Sequence, residues 1–179
     1  MARWLAILVA VLTLGALSGV GAYQLVRPAI EGPRWQEIAW SFPRDGWPAG
    51  RAFRCDACGG VELYVRAKIG FCNCDTGVAD DDEVDRVADL DLISERFAPT
   101  EEGKAIRVAD MAGRARFYDL KMPDGAQHPA IGIALSHRCD LLVAVAQGRA
   151  MPSELQRAAL DYLASGEVHG WIMASFGGR

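Results

Sequence analysis

The sequence predicts an α+β fold: an antiparallel sheet with helices packed on one face, preceded by an N-terminal signal or anchor helix. Three observations carry this expectation. Stretches such as VELYVR (residues 61–66) alternate apolar with polar residues, as half-buried strands do. After Pro152, Leu155, Ala159, Leu160 and Leu163 recur at helical spacing and form one apolar stripe. The chain opens with an uncharged, mostly apolar run over residues 4–26. Strands in the middle of the chain with helices packed on one face give an α+β sandwich.

The opening run supports two readings. Val20-Gly21-Ala22 places small residues where a signal peptidase cuts, before Tyr23, so residues 1–22 read as a signal peptide. The run is also long enough to span a bilayer, which takes about 20 apolar residues. Cleaved or kept as an anchor over residues 4–26, it directs the remainder out of the cytoplasm, because Arg3 and the amino terminus are its only cytoplasmic marks. No cysteine follows a small-residue motif near position 20, which argues against a lipid anchor. Few Lys beside many Arg, and the single Asn73, suit a GC-rich bacterial genome. The expected location is therefore the periplasm, with the domain either soluble or held at the inner membrane.

Without residues 1–22 the net charge moves from −4 to −5, since Arg3 is the one charge removed. An acidic surface argues against nucleic acid as a partner. The remaining length suits one domain with a real hydrophobic core.

Residues 23–53 read as an extended, Pro/Trp-rich lead-in, and residues 54–179 as a single exported domain. Trp35, Trp40 and Trp47 either cover the core edge or form an aromatic ligand surface. Residues 61–66 form a strand, to which residues 69–74 return after a turn at Ala67-Lys68. Residues 79–93 read as one helix, capped by Asp80 or Asp81, with acidic residues in its positive first turn. Residues 105–110 and 114–122 read as strands joined at 111–113, with a turn at Pro123-Asp124-Gly125. The apolar run 130–146 makes two strands bent near 136–138, and the C-terminal stretch makes two helices separated at Gly166.

The cysteines carry the functional question. Cys55-x2-Cys58-Gly-Gly has the form of a zinc knuckle, and Cys72-x-Cys74 puts two thiols on one side of a strand. In an oxidising compartment such thiols pair. A nested Cys55–Cys74 and Cys58–Cys72 arrangement, or its alternative, would lock the lead-in onto the hairpin. The alternative function is a thiolate metal site at Cys55, Cys58, Cys72 and Cys74, whose soft ligands suit zinc or copper. A third reading, thiol–disulfide oxidoreductase, needs a reducible Cys55–Cys58 bridge; strand rather than helix follows Cys58, unlike a thioredoxin-type context. Cys139 is the odd thiol. If extended, it and His137 share the face of Leu135 and Leu141, either as core residues or as a reactive pair.

The acidic run 75–85 lacks the ligand order of an EF-hand and reads as a helix start with a solvated face. Nucleophile-elbow, zinc-protease, Walker and dinucleotide motifs are absent, so no catalytic or cofactor-binding residue is nominated. The function expected is that of an exported, disulfide-stapled, non-enzymatic binding or accessory domain. Its partners would be an unknown protein or small ligand, and the membrane if the N-terminal segment is kept.

Overall fold

The computed structural model describes residues 34–42, 46–70, 76–78 and 80–177. The signal or anchor segment, residues 23–33, and the return strand expected at 69–74 beyond Gly70 lie outside the described residues. So do Cys72 and Cys74.

Among the described residues, eight antiparallel strands form one sheet. They are β1 (Gln36–Ile38), β2 (Arg51–Cys55), β3 (Val61–Lys68), β4 (Phe97–Pro99), β5 (Lys104–Val108), β6 (Met111–Lys121), β7 (Gln127–His137) and β8 (Asp140–Gln147). The order is β1-β2-β3-β8-β7-β6-β4, with β5 also pairing β6. Helices α1 (Asp81–Val87) and α2 (Leu90–Ile93) sit between β3 and β4, and α3 (Pro152–Leu163) and α4 (Gly166–Gly177) follow β8.

The α+β class and the antiparallel sheet are as expected, but the helices cover both faces. Phe53, Leu63, Val65, Ile131, Ile133, Leu135, Leu142 and Ala144 meet Leu155, Ala159 and Leu163 of α3 and Val168, Ile172 and Phe176 of α4. On the opposite face Tyr118, Leu120, Ala134, Leu141, Val143 and Val145 meet Val84, Val87, Ala88 and Leu90. The cause is legible in the central strands. Every residue of β8 is buried, so its apolar run does not alternate, and such a strand needs cover on both sides.

Part of the lead-in joins the sheet: β1 and residues 51–53 of β2 come from it, with Glu37 opposite Phe53 and Phe53 opposite Leu63. Trp35 stacks on Tyr162 of α3 with ring centroids 4.5 Å apart, and Arg51 donates to both carboxylate oxygens of Glu37. The single helix expected over 79–93 is broken at Ala88-Asp89, which leave the helical region. Asp80 is the cap, accepting from the Glu83 amide at 2.9 Å.

The β5–β6 turn falls at Ala109-Asp110, two residues earlier than the expected joint. Ala109 takes the positive φ of 51° that this tight turn requires. Gly113 instead lies within β6, where an added Cβ would stand 1.9 Å from the Ala134 carbonyl oxygen. The β7–β8 turn is Arg138-Cys139, closing on the His137–Asp140 pair. Cys139 is thus on a turn, and Leu135 and Leu141 point to opposite faces. The shared face expected for His137 and Cys139 does not form, because the chain reverses between them.

Candidate functional site

The cysteine-bearing end of the β2–β3 hairpin is built by a short turn. β2 ends at Cys55, residues 56–58 make one turn of 3-10 helix, and Gly59 and Gly60 follow with φ of 76° and 73°. These left-handed conformations suit glycine. They return the chain to β3, where Val61 pairs with Cys55 and the Gly60 amide donates to the Cys55 carbonyl. With two residues between them on such a turn, the cysteine Cα atoms lie 5.2 Å apart and the sulfurs are bonded.

The disulfide expected of this segment is therefore present, but in the short Cys55–Cys58 form rather than the nested pairing. Proximity explains it: the turn aims both Cβ atoms at one point, well inside the Cα separation a bridge tolerates. Cys139 is also disulfide-bonded, so it is neither a core thiol nor a free nucleophile. Sulfurs held in a disulfide are not thiolate ligands, so a four-sulfur metal site would first require reduction of Cys55–Cys58. Among the described residues no group of three or more His, Cys, Asp or Glu is arranged to hold a metal ion.

Beside this turn, β3 turns a polar row toward the α1/α2 side. The Glu62 carboxylate accepts from Arg54, from the Tyr64 hydroxyl at 2.6 Å and from the Gln147 amide at 2.7 Å. Gln147 in turn meets His128 Nδ1 at 3.0 Å. Further along, Arg66 and Lys68 converge on Asp89, and Lys68 also donates to the Val87 carbonyl at the end of α1. This inward turn of Asp89 accounts for the break between α1 and α2: a continuous helix would leave two buried cations without that carboxylate. The lead-in aromatics lie over the row. Trp40 and Phe42 pack edge-on to Tyr64, Trp40 lies 5.9 Å from the Arg66 guanidinium carbon, and Trp47 lies 5.9 Å from Lys68 Nζ. Trp40 and Trp47 thus lie over the polar row of β3, and Trp35 lies against α3.

The acidic run is matched by arginines of β6. Asp81 accepts from the Gly103 amide and from Arg114, and Asp85 from Arg116 and Tyr118. The Gly103 amide, then Arg114, hold the Asp81 carboxyl below its ordinary value. At Glu62 burial pushes the carboxyl up, but Tyr64, Arg54 and Gln147 together outweigh it and the net shift is down. Burial, reinforced by Glu62, pushes the Tyr64 hydroxyl up.

Asp81 and Glu62 both contribute to an acid limit on stability. A group whose folded pKa lies below its unfolded value stabilises the fold above the unfolded value, near ~4 for Asp and Glu, and loses that contribution as pH falls through the folded value. Thermal melting should therefore be insensitive to these groups from neutral pH to about 5 and fall steeply below about 4. Glu62→Gln should flatten that fall, and an unchanged acid limb would remove Glu62 from the cause.

One cluster escaped the sequence reading. Asp110 accepts at 3.0 Å from His169 of α4 and lies 3.6 Å from His137 Nδ1, and His137 stacks on Phe176. The three come from a turn, a strand end and a helix, so no local spacing marks them. Two adjoining open grooves, of about 400 and 540 Å³, meet at Glu95, Arg96 and Lys121 beside β4. Neither Arg96 nor Lys121 is paired with a carboxylate among the described residues.

No family model matches the chain, and no curated protein matches it. Among solved structures it is similar to PA94, a protein of unknown function from Pseudomonas aeruginosa described as a candidate regulator. The two share 14% identity over 83% of this chain and 84% of that one, with a TM-score of 0.33. At that level the likeness assigns no function.

Proposed function

We propose that this chain is an exported bacterial envelope protein whose disulfide-bonded α+β domain binds a protein or small ligand. The observation that carries the reading is the bonded state of Cys55, Cys58 and Cys139. Such pairing belongs to an oxidising compartment, in accord with the leader-like run at residues 4–26. The polar groups beside the hairpin support binding over catalysis: the Glu62 carboxylate is engaged by three donors, which leaves it poorly placed as a general base.

The two bridges contribute differently. A ring closed over two intervening residues restricts the unfolded chain little, about 2 kcal/mol, whereas long loops give about 3–5 kcal/mol. The double variant C55A/C58A should accordingly fold and lose about 2 kcal/mol in urea denaturation. A loss of the whole fold would show that this bridge, rather than the core, holds the hairpin.

Intact mass after expression in a periplasm tests the reading as a whole. Two bridges occupy four of the five cysteines, so alkylation of the folded protein without reductant should add one label, and two labels per bridge should follow reduction. Five alkylatable thiols with a metal ion bound before denaturation would overturn the proposal in favour of a thiolate metal site.

A further inference from the structure

Beyond ligand binding, we propose that the Cys55–Cys58 bridge is a thiol–disulfide exchange site, with Cys58 the sulfur that a partner's cysteine attacks and Cys55 the resolving sulfur. The C-x2-C spacing does not distinguish the two sulfurs; burial does. Cys55 closes β2 and is 0% exposed. Cys58 is only partly covered by the core and sits on a turn whose other members, Asp56, Ala57, Gly59 and Gly60, are exposed. A Cβ at Gly60 would meet nothing within 4 Å, and at Gly59 its nearest neighbour would be Ala150 at 3.4 Å. The glycines leave that flank of Cys58 open to an approaching peptide. Exchange is governed by which sulfur can be reached, and here that is Cys58.

In the first step a partner thiolate attacks Cys58 Sγ. A bond forms between those two sulfurs as the Cys55–Cys58 bond breaks, and Cys55 Sγ leaves with the bonding pair. Apolar burial favours the neutral thiol, so Cys55 takes up a proton. Attack of Cys55 on Cys58 restores the bridge and releases the partner. If the partner carries a second thiol, that thiol instead closes a disulfide in the partner, which is oxidised by two electrons while Cys55 and Cys58 are left reduced. The ring's small share of the fold's stability permits this: opening it leaves the apolar packing on both sheet faces and the Cys139 bridge intact.

Reduced glutathione is the probe. The oxidised, folded chain is incubated with it at neutral pH, quenched in acid and mapped by peptide mass. The expected product is a mixed disulfide at Cys58, with the Cys139 bridge retained. No adduct on the folded chain, or adduct confined to Cys55, overturns the proposal. In the single variants, Cys58 of C55A should react with glutathione disulfide at least tenfold faster than Cys55 of C58A; equal rates overturn the assignment of roles. Should either variant fail to melt as a folded protein, the wild-type mapping decides alone.

Discussion

Asp89→Ala should be the most damaging single substitution on the α1/α2 face, with an expected loss of about 3–5 kcal/mol, the usual cost of removing one partner from a buried ion pair. The Asp89 side chain is 12% exposed, and those of Arg66 and Lys68 are 4% and 8%. Desolvation of two cations is offset in the native state by this shared carboxylate, and alanine removes it. The substitution also frees the helix break, since Lys68 spans both Asp89 and the Val87 carbonyl. Urea denaturation measures the loss. A change below about 1 kcal/mol would mean that the charges are solvated and behave as a surface pair. A companion variant with Arg66, Lys68 and Asp89 all replaced by apolar residues should recover most of the stability.

Gly50→Ala should cost toward the upper end of about 1–3 kcal/mol, the range for overpacking a filled site. An added Cβ would stand 2.3 Å from the Val65 carbonyl oxygen, 2.6 Å from the Trp40 ring and 2.8 Å from the Arg66 Cβ. Two of these neighbours belong to the central part of β3 and cannot retreat without disturbing its pairing with β8. The third is the ring that covers the polar row. Tryptophan fluorescence should therefore report a more solvated Trp40 together with a lowered melting temperature. If stability is unchanged, the lead-in does not press on β3 as described.

Much of the fold was legible in local pattern. The alternation of VELYVR gives β3, the Leu155-Ala159-Leu163 stripe gives α3, and Asp80 caps α1, each because side chains within a few residues share one face or one turn. The unalternating run of β8 carries the two-sided burial of the sheet, but a continuous apolar run by itself marks only a strand. The break at Asp89 had no local sign, since its cause is Arg66 and Lys68, more than twenty residues earlier. For the same reason Asp110, His137 and His169 gave no signal as a group.

By itself, the sequence determined the longer strands and the C-terminal helices, the acidic balance of the chain and the presence of closely spaced cysteines. All of these depend on neighbours along the chain. Only the tertiary structure decided that Cys55 bonds Cys58, that Cys139 is bridged, which of the two hairpin cysteines is the less buried, and how the polar row on β3 is satisfied. Those outcomes depend on distances between atoms that the folded backbone brings together, and a spacing pattern is the same whichever partner finally stands at bonding distance.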